Sequence, residues 1–158
     1  MTIGSKYLAA DFLQCVIARH YEPRYGPAFV TVGNFPDYDI SFPNGPKMEI
    51  KTDRTAESTG NACIEYSYRN KPSGILATSA TVWVHIVPSD EKLIAYEIEI
   101  KRLLRLCIET GKCSGGGDGN MSLFKLIPLQ KIKEISSQVF ELNTQFAQQF
   151  IQPEKMQP

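Results

Sequence analysis

Leu8, Phe12, Val16 and Ile17 recur at the spacing of one helical face between residues 5 and 21, with Ser5 placed as an N-cap and Glu22-Pro23 as a stop. The pattern predicts a first helix. Two β-rich runs follow, AFVTVG at 28–33 and DYDISF at 37–42. Pro43-Asn44-Gly45-Pro46 separates the second run from KMEIKTD, which predicts a hairpin with a tight turn. After a polar loop at 52–61, ACIEYSYR alternates with a period of two, putting Ile64, Tyr66 and Tyr68 on one face and Cys63, Glu65 and Ser67 on the other.

SGILATSA reads as a short helix or turn, and VWVHIV at 82–87, bounded by Pro88, as a strand buried on both faces. KLIAYEI predicts another strand. IKRLLRLCIE, with Leu103, Leu104 and Cys107 at helical spacing, predicts a short helix ended by Gly111. The glycine-rich stretch SGGGDGN at 114–120 reads as a connector, and LFKLIPL as an edge strand because of Pro128. A Gln-rich amphipathic helix is expected over 130–152, carrying Ile132, Ile135, Val139, Phe140, Leu142, Phe146 and Phe150. Strands interleaved with helices predict an α/β fold, a central mixed sheet flanked by helices.

At 158 residues the chain suits one domain, taken as 1–152, with 153–158 as a frayed tail. Apolar residues at 42% and charged residues at 22% exclude a disordered chain. No apolar run of eighteen residues occurs, and the start lacks the pattern of a secretory signal, so no membrane partner and a cytoplasmic location are expected. Seventeen Lys and Arg balance seventeen Asp and Glu, so nucleic-acid binding would rest on local patches rather than on net charge. Cys15, Cys63, Cys107 and Cys113 form no CxxC pair, and only two histidines accompany them. Reduced, structural cysteines and no zinc site are expected.

The chemistry concentrates between Asp39 and Lys51. Asp39 and Glu49 lie on the two arms of the predicted hairpin, with its turn midway, so pairing brings two carboxylates together. Period two adds Lys51 to the face of Glu49 and turns Ile50 the other way. Two carboxylates and the Ile50 carbonyl form an oxygen set that suits Mg²⁺, with Mn²⁺ as a substitute. Such a metal activates water and stabilises charge on phosphate oxygens, and Lys51 would orient that water or neutralise the intermediate. The plain alternative is a solvated cross-strand ion pair.

A helix, then YDISF and MEIKTD around a turn, then further strands resembles the PD-(D/E)xK, or restriction-endonuclease-like, nucleases over roughly residues 5–87. The resemblance implies a restriction-endonuclease-like sheet, Asp39 and Glu49 as metal ligands and Lys51 as the catalytic lysine. Pro36-Asp37 offers a second candidate for the first ligand. Asp39 is preferred because burial of Ile40 and Phe42 would put Asp39 and Ser41 on the opposite face. Many members add an acidic residue from the first helix, for which Asp11 is favoured over Glu22. Glu65 either joins the cluster or pairs with a nearby lysine.

Arg54, Tyr66, Tyr68, Arg69, Lys71 and Ser73 are of the types that contact phosphates and stack on nucleotides, with sheet packing as the alternative for the tyrosines. Lys101, Arg102, Arg105 and Lys112 form a second basic stretch, read as a solvated face or a DNA flank. The glycine stretch lacks nucleotide-binding spacing, and Trp83 reads as core. The function expected is a Mg²⁺-dependent DNA endonuclease making site-specific, homing-type double-strand cuts. Its alternatives are a Holliday-junction resolvase and a non-catalytic DNA-binding module. Cutting both strands implies a homo-oligomer, at least a dimer, with Phe140, Phe146 and Phe150 of the C-terminal helix read either as part of that interface or as packing on its own sheet.

Overall fold

VWVHIV is apolar at nearly every position because its strand is covered on both sides. A computed structural model describes residues 3–142 except 34, 90, 91 and 117. The elements run α1 (Ile3–Tyr25), β1 (Phe29–Val30), β2 (Ile40–Ser41), β3 (Lys47–Thr52), α2 (Ala56–Thr59), β4 (Asn61–Tyr68), β5 (Lys71–Pro72), β6 (Val82–Ser89) and β7 (Lys92–Glu99). Then come α3 (Ile100–Glu109), β8 (Lys112–Gly116), β9 (Ser122–Pro128), α4 (Leu129–Ile135) and β10 (Gln138–Leu142). A six-stranded sheet has the order β1-β2-β3-β6-β7-β10, and a four-stranded sheet the order β5-β4-β9-β8. Only β3 and β6 pair in parallel; the other pairs are antiparallel. The fold is mixed α/β, as expected, but divided between two sheets.

The alternation along β6 builds two cores. Val84 and Ile86 join Leu13, Ile17, Ala18 and Tyr21 of α1 over one face of the large sheet. Trp83 and Val87 point the other way, into a cluster with Leu103 and Cys107 of α3, Ile132 of α4, and Ala62, Ile64 and Ile127 of the small sheet. Trp83 is therefore core. The small sheet and the C-terminal helices thus cover the face opposite α1. No helix among the described residues is long and apolar enough to cross a membrane.

A buried carboxylate ties these layers together. Glu97 of β7 accepts from the Tyr21 hydroxyl of α1 at 2.6 Å and from the Ser137 hydroxyl at 2.7 Å. Burial and the bond to Glu97 push the Tyr21 phenol far above its ordinary range, which keeps it a donor.

Several sequence expectations are corrected. The first helix passes through Pro23 and ends at Gly26, whose positive φ lets its N–H reach the Glu22 carbonyl at 2.8 Å. A proline that close to the end costs the helix only one late hydrogen bond. The buried stripe of α1 runs through Leu13, Gln14, Ile17, Ala18 and Tyr21, while Phe12 and Val16 pack at its flank. LFKLIPL is an interior strand between β4 and β8, tolerating Pro128 as its final residue. Half of the glycine stretch is strand β8, and a four-residue helix, α2, interrupts the polar loop.

The expected helix over 130–152 stops at Ile135. Residues 138–142 pair with β7, turning Phe140 and Leu142 to the core and leaving Val139 exposed. Positions 132, 135, 139 and 142 fit a helical period, but 140 and 142 also fit a strand, and an open edge on β7 decides between them. Residues 143–152, with Phe146 and Phe150, and the tail 153–158 lie outside the described residues.

Tyr21→Phe leaves a buried carboxylate one donor short. It is expected to lower unfolding stability by about 1.5–3 kcal/mol in urea titrations, more than the same measurement gives for Ser137→Ala.

Candidate active site

Because β2 is only two residues long, β3 runs on past it with unpaired backbone. Ile40 pairs with Met48 and Ser41 with Lys47, and the Asp39 N–H reaches the Met48 carbonyl at 2.9 Å. Beyond that point the strand partner is missing. The Asp39 side chain fills the gap, its Oδ2 accepting from the Ile50 N–H at 2.7 Å. A residue's N–H and C=O leave a strand on the same edge, so the Ile50 carbonyl also opens toward Asp39.

Ile40, Phe42, Met48 and Ile50 are buried toward α1, Glu49 and Lys51 point to the opposite face, and Asp39 stands at the sheet edge between them. Glu49 is buried, with Oε1 2.9 Å from Lys51 Nζ. Its Oε2 lies 3.1 Å from the Thr78 hydroxyl, which shares its proton with the Asp37 carbonyl at 2.8 Å. Lys51 stays partly open, its side chain 43% exposed.

The electrostatics show a centre short of positive charge. Burial, then the charge of Glu49, pushes the Asp39 carboxyl up to about 6, against the opposing pull of the Ile50 N–H and Lys51. Burial would lower Lys51, but Glu49, Asp39 and Glu65 together hold its ammonium above the ordinary value. Among the described residues no three His, Cys, Asp or Glu side chains gather as a metal site. The donor set is two carboxylates and one carbonyl, all oxygen, and the unrelieved repulsion on Asp39 is what a hard divalent cation would remove.

Asp37 is exposed and contributes its backbone carbonyl, so Asp39 is the carboxylate that faces Glu49. Asp11 accepts from the Gly33 N–H at 3.3 Å and reaches Asp39 only through its charge. Helix α1 instead delivers Gln14, whose Nε2 donates to Asp39 Oδ1 at 3.0 Å while its buried Oε1 has no partner. The signal for Gln14 was a polar residue inside the buried stripe 14-17-18-21. Thr78, in a short irregular stretch, carries no such signal.

Glu65 faces Lys51 across a cleft and accepts from the Ser73 hydroxyl at 2.5 Å. Gly74 makes this approach possible, since a Cβ there would stand 2.3 Å from the Glu65 carbonyl oxygen. Arg54 lines the same cleft. The other expected DNA contacts lie elsewhere on the small sheet. Tyr66 occupies a bulge in β4, where the register with β9 shifts, and packs at the flank of the core cluster. Arg69 and Asn70, both at positive φ, form the two-residue turn that pairs Tyr68 with Lys71. Arg69 stacks on Tyr68 at 5.2 Å.

Asp53, two residues past Lys51, is structural. Its Oδ1 accepts from Thr55 and Ala56 at the start of α2, and its Oδ2 from the Cys63 N–H at 2.7 Å. Burial works against its charge, but His85 at 3.4 Å and these donors outweigh it and hold the carboxyl well below the ordinary range. The four cysteines are free. Compared with known proteins, the chain matches no family model and no curated protein.

Asp39 carries a raised pKa, so its protonated form favours the fold below pH 4 and that stability is lost as pH rises through about 6. In Asp39→Asn one oxygen still serves Ile50, and Nδ2 meets Gln14 Oε1 once that amide turns over. Without divalent ions the variant should therefore gain on wild type with rising pH, reaching about 2 kcal/mol above pH 7. Urea titrations across pH 4–8 read the difference; a flat profile would contradict the assignment.

Proposed function

We propose that the chain is a divalent-metal-dependent DNA endonuclease with Asp39, Glu49 and Lys51 at its centre. The observation that carries this reading is the convergence of two buried or half-buried carboxylates, a backbone carbonyl and a clamped lysine beside an open cleft. Asp39, Glu49 and the Ile50 carbonyl would hold Mg²⁺, or Mn²⁺ in its place. The ion would supply Lewis-acid stabilisation of charge developing on the phosphate oxygens. The chain's own groups do the rest. Thr78 and Lys51 fix the two oxygens of Glu49, and Gln14 and the Ile50 N–H fix those of Asp39. Lys51 has the exposure to donate to a phosphate oxygen or to orient an attacking water.

DNA is the polymer that this reading assigns, as substrate for site-specific cutting of both strands. Exposed Arg54, Arg69 and Lys71, with Lys101, Arg102, Arg105 and Lys112 on and after α3, offer phosphate contacts. One centre per chain makes double-strand cleavage a task for at least two copies.

Plasmid and four-way-junction substrates with Mg²⁺ test the proposal. Wild type is expected to cleave, EDTA to abolish cleavage, and Glu49→Gln or Lys51→Ala to slow it by about two orders of magnitude or more. Mg²⁺ should raise the Tm of wild type but not of Asp39→Asn, and less at pH 5 than at pH 7.5, since the raised Asp39 carboxyl must first lose its proton. DNA binding with no cleavage under any divalent ion would leave a non-catalytic binding module.

A further inference from the structure

The face that carries Glu49 and Lys51 continues into a cleft of about 350 Å³ between the two sheets. One wall is β3 and β6, where Glu49 stands in register with Trp83 and Lys51 with His85. The other wall is Glu65 of β4 and its register partner Phe124 of β9, with Arg54 completing the lining. Lys51 belongs to both places, lining the cleft while its Nζ holds Glu49. Any phosphate gripped at the carboxylates therefore has its own sugar and base at the mouth of this cleft.

A tryptophan and a histidine form the base of the cleft. The Trp83 indole N–H can only donate, and it points at His85 Nδ1 at 3.3 Å. That bond places the imidazole proton on Nε2. His85 is fully buried, and its Nε2 has no hydrogen bond, the nearest acceptor being Asp53 Oδ2 at 3.4 Å. Asp53 is already committed to backbone and hydroxyl donors. At 3.4 Å the imidazole and the Asp53 carboxylate still form a buried charge pair beneath the cleft. Beside it the Arg54 guanidinium supplies further donors, Glu65 supplies an acceptor and Phe124 a flat apolar surface.

We propose that this cleft receives a nucleobase, that of the nucleotide adjoining the cleaved phosphate, turned out of its stack. The inference rests on the nuclease reading above. A base is flat and carries mixed edges, so Phe124 takes its face while Arg54 meets ring-nitrogen and carbonyl acceptors. Glu65 takes N–H groups of the neighbouring edge. Guanine, with two neighbouring acceptors and two neighbouring donors, matches that set best. The cleft volume lies at the lower end of the range of about 300–1,000 Å³ for small-molecule sites, which suits a base better than a larger group.

Trp83 is the chain's only tryptophan, so its indole N–H gives a single cross-peak in a ¹⁵N–¹H spectrum and reports directly on the cleft. The full chain is titrated without metal with dGMP and, separately, with 2-deoxyribose 5-phosphate. Saturable movement of the indole peak with dGMP, and none with the sugar phosphate, is the expected result. Phe124→Leu should weaken dGMP at least fivefold, and Arg54→Ala, at an exposed position, should do the same if the first variant does not fold. No response to dGMP, an equal response to the sugar phosphate, or unchanged affinity in both variants overturns the proposal. DNA cleavage by a protein whose indole ignores dGMP removes the base pocket and leaves the nuclease; an indole response without cleavage does the reverse.

Discussion

A carboxylate standing where a strand should be organises this molecule. β2 ends after two residues, and Asp39 Oδ2 replaces the missing backbone acceptor for Ile50. The substitution has two effects that cannot be separated. It keeps a buried N–H satisfied at the middle of β3, and it holds a carboxylate beside Glu49 in partly dry surroundings. In the absence of a cation the second effect is unfavourable, and the Asp39 carboxyl rises to about 6 as a result. A cation beside the two carboxylates would relieve that repulsion, which is the basis of the metal proposed above.

The two-sided burial of β6 explains why that site has a cleft rather than a flat sheet face. If the large sheet had only α1 to pack on, its other face would open to water. Trp83 and Val87 instead bury themselves under α3, α4 and the small sheet. Near Lys51 this second layer does not close, and Phe124 and Glu65 stand across from Trp83 and His85. Glu97 keeps the layers in position from the far side, where its two oxygens join α1 to the start of β10. The arrangement of Glu49 and Lys51 on β3 therefore depends on contacts several strands away.

Much of this was legible in the residues. The turn Pro43 to Pro46, the inward alternation of Ile40 and Phe42, and the apolar run of β6 led directly to the hairpin, the choice of Asp39 over Asp37 as the inward carboxylate, and a strand buried on both faces. What was not legible depends on tertiary pairing. Residues 138–142 satisfy a helical period as well as a strand period, and only the free edge of β7 selects the strand. The bulge at Tyr66 leaves that residue without a register partner on β9, though its ring still packs at the flank of the core cluster that holds Ile64. Gln14 was overlooked because it is polar within an apolar stripe, which is also the reason it matters: a stripe facing the sheet brings it to Asp39. Asp11 lies a turn earlier and meets the backbone of Gly33 instead.

Zero net charge also has a different meaning once burial is known. Among the described residues Glu49, Asp53 and Glu97 are buried, whereas no lysine or arginine is. The far field stays near zero, so long-range steering of a polyanion is weak. The contact surface, however, is richer in cations than the composition indicates, because its missing carboxylates are inside, holding Lys51, His85 and Tyr21. Phosphate contacts then depend on where particular cations stand, at Arg54 beside the cleft and along α3, rather than on an overall attraction. Such a distribution favours a protein that grips its polymer where local geometry fits over one that coats it at any position. This accords with the proposed centre, which would bring a cation, a lysine and a base cleft together in one place.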